Sequence, residues 1–403
     1  MDLNIPERVV STLAQIEDFM KEEVFPFEPE FMKKEFNELL PELQKKREKV
    51  KALGLWGPNL PADLGGMGLS LLEHGLISEV LGQSPLGHYL FGCQAPDAGN
   101  IEILHMFGTD EQKEEFLHPL AEGKIRSCFA MTEVHTAGSN PLLLEATAEK
   151  DGDDYILNGH KWFTTAADGA DFTIAMMVTN KDVNPVLGAS MIIVPTSNPG
   201  FKLLRNIPIM GDEGSGYNSH GEVMFENCRV PQKNLLGKEG HGFKLAQERL
   251  GPGRIHHCMR WLGICRRAFD MMCERASRRV VTTDGKTLAD NDVIQHWVAE
   301  CAAEIEGARL MTLSAAWAID NHGTSKARDE VAMIKFVVAN TMMKVLDRAI
   351  QVHGGLGMTD DTILAHFFRH ERASRIYDGP DEVHKSSLGK RILRDYKKKA
   401  RKK

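Results

Sequence analysis

Three stretches hold residues whose types and spacing could do chemistry. The first is Arg375-Ile376-Tyr377-Asp378-Gly379-Pro380-Asp381-Glu382-Val383-His384. It predicts a joint between two helices. Gly379 tolerates backbone angles that other residues resist. Pro380 suits the first position of a new helix. Asp381 and Glu382 then fall in its first turn, where the helix dipole favours negative charge. Asp378 is left on the connection, either as part of a helix cap or as a carboxylate free to point into a cleft. The second stretch is Gly251-Pro252-Gly253-Arg254, followed by His256 and His257. It predicts an abrupt entry into a helix, with Arg254 as a surface charge or an anion clamp. Adjacent histidines on a helix point about 100° apart, so these two do not share a metal, and no HExxH or carboxylate triad accompanies them. They serve packing or substrate hydrogen bonding, and no metal site is expected. The third is Phe129-Ala130-Met131-Thr132-Glu133, running into Ala137-Gly138-Ser139-Asn140, with Lys161-Trp162-Phe163-Thr164-Thr165 further on. Small residues, hydroxyls and backbone donors here suit either an ordinary strand and turn or a flat heterocycle with ring acceptors. The aromatic faces of the later segment favour the heterocycle.

The elements that must position these residues change along the chain. The first region, to about residue 125, reads as helical: Val10, Leu13, Ile16 and Met20 recur at helical spacing, as do Leu71, His74, Gly75, Ser78 and Leu81. Thr109 is placed to cap a short helix. From about Cys128 to residue 240, short apolar runs alternate with turn residues. Lys150-Asp151-Gly152-Asp153 is a hairpin signal, and Thr173 to Val178, Ser190 to Val194 and Glu222 to Phe225 read as strands. No long helix alternates with them, so a doubly wound sheet is excluded. No proline occurs between Pro252 and Pro380, as a helical bundle allows. Ile294, Trp297, Cys301, Ile305 and Ala308 mark one helix there. Ile334, Val337, Val338 and Met342 mark a second, and Val345, Ala349 and Val352 a third that stops at Gly354-Gly355. The fold class expected is α+β, with an N-terminal helical domain (1–126), a middle β-barrel-like domain (127–241) and a C-terminal four-helix bundle (242–403).

Composition sets limits on the function. The 403 residues carry a net charge of −7, which argues against a broad nucleic-acid footprint. The basic run from Lys397 to Lys403 reads as a solvated tail. No apolar run is long enough to span a bilayer, and the N-terminus lacks the regions of a signal peptide. The seven cysteines show no CxxC or zinc spacing. They are expected reduced and buried, and the location expected is cytoplasmic. Gly65-Gly66-Met67-Gly68 and Gly354-Gly355-Leu356-Gly357 lack the strand and helix of a dinucleotide-binding βαβ unit.

Together these motifs carry a resemblance. Leu60-Pro61-Ala62-Asp63-Leu64-Gly65-Gly66-Met67-Gly68, Met131-Thr132-Glu133 with Ala137-Gly138-Ser139, Tyr155-Ile156-Leu157-Asn158-Gly159-His160-Lys161, Asn234-Leu235-Leu236-Gly237, Gln351-Val352-His353-Gly354-Gly355 and Tyr377-Asp378-Gly379 occur in order. From about residue 10 to 395 the chain resembles the acyl-CoA dehydrogenases. Cys93-Gln94-Ala95-Pro96-Asp97, the run from Leu250 to Arg260 and Asp378-Gly379-Pro380-Asp381 resemble one branch. In animals that branch includes members fused to an aminoglycoside-phosphotransferase-like kinase domain, and this chain resembles a stand-alone form.

The resemblance implies FAD in a cleft between the β domain and the C-terminal bundle. Phe129, Met131, Thr132 and Ser139 would line its ring and ribityl. Phe163 and Thr165 stand where the family has Trp and Thr against the ring. Gln351, Gly354 and Gly355 would reach the FAD of a neighbouring subunit, in a homodimer or homotetramer, and Arg279 lies near the family's pyrophosphate arginine. Pro380 and Glu382 are assigned to the cofactor as well. Ser139, Gly251, Arg254 and Gly379 would meet the acyl-CoA. Asp378 aligns with the family's glutamate base, with Arg254 beside it and Glu248 as an alternative carboxylate. Asp378 is shorter than glutamate by one methylene, about 1.5 Å. The activity implied is α,β-dehydrogenation of acyl-CoA, with an electron-transferring flavoprotein as acceptor. Two other readings follow from the branch and the fold: phosphate elimination from a 4-phosphoacyl-CoA toward 3-hydroxyacyl-CoA, and a non-catalytic family member.

Overall fold

A computed structural model describes residues 5–401. Residues 402 and 403 of the basic tail, and the N-terminal residues 1–4, lie outside the described residues. By packing, the chain forms two compact units. One comprises Met1–Lys33, Leu69–His88 and Gly251–Lys403, and the other Lys34–Gly68 and Tyr89–Leu250. The first 126 residues are thus shared between them. Helix α1 (Glu7–Phe19) belongs to the first unit and α2 (Phe36–Ala52) to the second, while α3 (Leu71–Leu81) returns to the first and α4 (Asp97–Phe107) to the second.

The second unit is built on an eight-stranded sheet: β1 (Ser127–Ala130), β2 (Thr147–Asp151), β3 (Asp154–Thr165), β4 (Phe172–Val178), β5 (Ala189–Pro195), β6 (Phe201–Asn206), β7 (His220–Pro231) and β8 (Leu235–Leu236). The order is β6-β7-β3-β2-β4-β5-β8, with β1 parallel to β4. The β2–β3 hairpin closes where the sequence signals it, Asp151 opposite Asp154, with Gly152 at φ 61°. Strands β4 and β5 are buried almost throughout, as near-continuous apolar runs require. The β3–β7 pairing slips between Lys161 and Thr164. The slip is a bulge, and bulges re-aim side chains. Here Phe163 takes φ 49° and keeps its ring exposed. Apart from the sheet, α4 packs Ile101, Ile103 and Leu104 into the core below β4 and β5.

In the first unit four long helices, α5 (Gly242–Arg278, its last 28 residues being in this unit), α6 (Asp292–His322), α7 (Arg328–His353) and α9 (Asp381–Ala400), are joined by the short α8 (Ile363–Glu371). One core runs from Val9 and Leu76 through Trp261, Cys265 and Met272 to Val338, Val345 and Phe367. Helix α3 approaches α5 backbone to backbone. A Cβ on Gly82 would lie 2.3 Å from the Arg260 carbonyl oxygen, and one on Gly263 would lie 2.1 Å from that of Glu79. Only glycine allows that approach, and it fixes the register of the α5 turns that carry Arg254 and His257. Arg309 closes the same joint with bonds of 2.8 and 3.1 Å to Glu79, which Arg266 also meets.

Three local expectations are corrected. The two helices expected around Ile334 and Val345 are one helix, α7. Met343 and Lys344 between the two apolar sets are good helix formers and interrupt nothing. Gly251-Pro252-Gly253 is no helix entry: Pro252 lies inside the 37-residue α5. The proline removes one backbone donor, that of an i→i−4 bond. Buried Ile255, Cys258 and Met259 hold the following turns, and Gly251 is required by packing, since a Cβ there would sit 2.4 Å from Thr324 Cγ2. Pro380 is the residue before the helix rather than its first, and Asp378 as well as Gly379 has a positive φ, 53° and 97°.

Candidate active site

Asp378 is held from several sides within the first unit. Its left-handed backbone is uncommon outside glycine, and the neighbours that fix it are visible. Arg254 Nε donates to the Asp378 carbonyl oxygen at 3.3 Å, and His384 Nε2 lies 3.1 Å from the same oxygen. The carboxylate Oδ2 lies 3.2 Å from His257 Nε2. Arg254 and His257 are three residues apart on α5, so they share a face. His384 stands one turn into α9. Burial lowers the His384 pKa to about 4, against a smaller upward pull from the Asp378 carbonyl.

Behind this sits an aromatic and charged wall. The His257 ring stacks on Trp261 at 5.9 Å and tilts against Tyr377 at 5.2 Å. Trp261 Nε1 donates to Glu371 at 3.0 Å and reaches the Tyr377 hydroxyl at 3.2 Å. Arg260 bridges Glu371 and that hydroxyl. Lys335 is fully buried and donates to the Ser374 carbonyl at 2.6 Å. Its Nζ lies 5.2 Å from the Trp261 ring centroid and 5.4 Å from that of Tyr377. Burial lowers the Lys335 pKa, while the Asp378 charge pulls it upward. Burial likewise lowers that of His257, against the upward pull of Asp378. The two adjacent histidines diverge: His256 faces His74, with ring centroids 4.5 Å apart.

The residues expected around the flavin lie in the second unit. Phe129 on β1 is covered by the Arg249 guanidinium, 4.2 Å from its ring. The carbonyls of Met131 and Thr132 are taken by Lys161 Nζ at 3.0 Å and Trp162 N–H at 3.0 Å. Lys161 is buried and paired with Glu133 at 2.8 Å. Burial pushes its pKa down to about 8, against the pull of Glu133. Thr165 Oγ1 lies 2.9 Å from His220 Nδ1. Ser139 is exposed on the following loop. Among the described residues the Thr132 hydroxyl has no protein partner and the Thr164 hydroxyl is buried without one, while the Phe163 ring is exposed. An uncommitted Thr132 hydroxyl in the same segment pairing as the open Phe163 ring fits a flat ring system with acceptor atoms, whereas the Thr164 hydroxyl is enclosed in the core. FAD therefore suits this donor set.

The remaining expected residues are spread out. Gln351, Gly354 and Gly355 lie exposed at the end of α7, where Gly354 closes the helix at φ 62°. Arg279 is exposed just past α5, and Glu382 on the first turn of α9. Glu248 lies on α5, in the part of it that belongs to the second unit. Lys335 and His384 are not among the expected residues. The signal for Lys335 is a lysine in the apolar stripe Val331, Ile334, Val338, Met342. The signal for His384 is its place one turn after Pro380.

Comparison with known proteins agrees with this architecture. Residues 9–124, 128–228 and 240–393 match, in turn, the N-terminal, middle and C-terminal domains of acyl-CoA dehydrogenase. The chain belongs to the acyl-CoA dehydrogenase family, and its class is that of FAD-dependent oxidoreductases. It is similar to "Probable acyl-CoA dehydrogenase FadE2" of Mycobacterium tuberculosis, 43% identical over 98% of this chain and 97% of that protein. It is equally similar, at 43%, to "Acyl-CoA dehydrogenase family member 11" of Gallus gallus, over 96% of this chain. The chain spans about half (51%) of that longer relative. A solved structure of a putative acyl-CoA dehydrogenase from Mycobacterium abscessus superposes with a TM-score of 0.93 at 36% identity, covering 98% of this chain and all (100%) of that one.

Proposed function

We propose that this protein removes an α-proton and a β-hydride from an acyl-CoA thioester to give the 2-enoyl-CoA, with Asp378 as base. The observation that carries this reading is Asp378, set on a left-handed junction with its carbonyl held by Arg254 and His384 and its carboxylate 3.2 Å from His257. A thioester α-hydrogen is weakly acidic, so the base must be held within hydrogen-bond reach of it. Asp378 is shorter than a glutamate, and its fixed backbone makes up for that by presenting the carboxylate from a set direction. The electron pair of the substrate's α C–H bond stays with the substrate as the proton passes to the carboxylate. The Asp378 N–H is assigned to the thioester oxygen, where charge develops. When bound, FAD supplies the two-electron acceptor for the β-hydride. Thr132, Thr165 and Phe163 hold its ring, with Phe129, Met131 and Ser139 beside it. Gln351, Gly354 and Gly355 reach the FAD of a second copy, which their exposure supports. Arg279, Pro380 and Glu382 are further cofactor contacts under this reading, and Gly379 a substrate contact. An electron-transferring flavoprotein reoxidises the flavin, the assembly is a homodimer or homotetramer, and the protein works in the cytoplasm.

The test is a panel of acyl-CoAs mixed anaerobically with the FAD-loaded protein. Bleaching of the flavin absorbance with at least one chain length is expected, and none with any would count against dehydrogenation. Asp378→Asn should abolish exchange of the α-proton with solvent deuterium. Retained exchange removes Asp378 as base.

A second reading is favoured by one observation. Among the described residues Arg254 makes one hydrogen bond, through Nε, so the rest of its guanidinium remains available for an anion. In this reading Arg254 receives the phosphate leaving a 4-phosphoacyl-CoA, and inorganic phosphate released from that substrate is the measurement. Release without flavin bleaching would select it over dehydrogenation.

A further inference from the structure

We infer that His257 is a positioning residue that holds the short Asp378 carboxylate in place and couples its basicity to pH. The inference rests on Asp378 being the base. The neutral ring can donate Nε2–H to Asp378 Oδ2 across the 3.2 Å between them. Arg254 and His384 grip the Asp378 carbonyl. His257 meets the part that does chemistry. The ring is flanked by Trp261 and Tyr377, and Trp261 is itself tied to Glu371 and the Tyr377 hydroxyl. A short side chain on a left-handed residue needs such a stop, since a misplacement of 1 Å can cost on the order of 10²-fold in rate.

The charges that face His257 come from every neighbouring element. Arg260, and Lys335 of α7, oppose its protonation, and Asp378 favours it. Arg254 and Cys258 lie on its own helix, Glu371 ends α8, and His384 stands on α9. His88 also feels the His257 charge. At neutral pH burial keeps the ring uncharged. On acidification a proton taken by His257 turns the hydrogen bond into an ion pair and removes basicity from Asp378. The acid limb of the reaction then belongs to the pair rather than to either group.

Two substitutions separate the roles. Gln places an amide nitrogen near Nε2 but does not titrate; Phe keeps the ring for stacking but has no donor. His257→Phe is expected to lower the rate of α-proton removal on the order of 10²-fold, with KM little changed. His257→Gln should recover most of that rate, and its acid limb should move to lower pH than in the unsubstituted protein. The resting protein labelled with 15N-histidine gives a readout free of turnover: the signal lost in His257→Gln should be that of a neutral ring protonated at Nε2. A proton on Nδ1, an unchanged rate in the Phe variant, or an unchanged acid limb in the Gln variant overturns the inference. If Asp378→Asn retains exchange, the base assignment itself falls. If Asp378→Asn is inactive while both His257 variants behave as unsubstituted protein, only the present inference falls.

Discussion

Among the described residues each unit buries one lysine completely, and the two are handled differently. Lys161, in the sheet, meets the Glu133 carboxylate at 2.8 Å. The same carboxylate accepts the N–H groups of Glu145 and Ala146 at 2.8 and 3.0 Å. Burial pushes the Glu133 pKa up, but Lys161 and these amides pull it below its ordinary value. This is a closed, neutralised pair. Lys335, in the helical bundle, makes no ion pair within 4 Å among the described residues. It has two carbonyl oxygens, of Ser374 at 2.6 Å and Gly379 at 3.5 Å, and two aromatic faces instead. Its charge is left to act at a distance on Asp378 and Asp381. A buried charge with a carboxylate in contact serves the fold, whereas one without such a contact keeps its field for the site.

The contrast breaks most visibly in the sheet. Lys161→Met leaves Glu133 buried without its counter-charge, and breaking a buried pair costs about 3–5 kcal/mol. Urea unfolding of the FAD-loaded protein should report a loss of that order. Loss of activity per folded molecule exceeding the loss of stability would place Lys161 on the functional side of the comparison.

A pH test sharpens the bundle side. His384 anchors the Asp378 carbonyl, and its folded pKa of about 4 lies below the ordinary histidine value of 6.5. Between those values the unfolded chain binds a proton that the folded one refuses. The stability contribution is therefore whole above about pH 6.5 and is lost as pH falls toward 4. At about pH 5 the loss should be roughly 2 kcal/mol, because each pH step over which the two states differ by one proton changes stability by about 1.4 kcal/mol. His384→Gln keeps a donor without titrating. Its stability should change less between pH 7 and 5 than that of the unsubstituted protein, as denaturant midpoints at the two values will show.

Much of this is legible in the sequence, and the reasons differ by residue. The β2–β3 hairpin is readable because Gly152 sits among polar turn residues and the register follows from the loop length. Asp378 is readable as a carboxylate on a helix joint because glycine and proline mark joints locally. Its own positive φ is not, since tertiary anchors impose it. The long α5 is easily misread at Pro252 because a proline's local signal is a break, while buried Ile255, Cys258 and Met259 on the following turns override it. Lys335 and the His257–Asp378 pair need contacts between α7, α5 and the junction, which lie 43 and 121 residues from Asp378 along the chain. No window of sequence holds such pairs. For the same reason the sharing of the first 126 residues between two units is not visible in their uniformly helical texture.

The smallest change in stability, and the most discriminating, should come from Lys335→Met. The substitution removes a charge whose burial is unfavourable, as its lowered pKa reflects. It also removes the bonds to the Ser374 carbonyl at 2.6 Å and the Gly379 carbonyl at 3.5 Å, and the attraction of two aromatic faces. Loss of the carbonyls' partner costs about 1–3 kcal/mol and the cation–π contacts about 0.5–2 kcal/mol, while relief of desolvation offsets both. The net change should be about 1 kcal/mol, well short of that for Lys161→Met. The rate should respond differently. A cation facing Asp378 favours its ionised form, so its removal should move the acid limb of α-proton exchange to higher pH. Exchange measured by deuterium uptake across pH 5 to 8 checks this. A Lys335→Met variant destabilised as much as Lys161→Met, with an unmoved acid limb, would make both lysines structural and end the distinction between the two units.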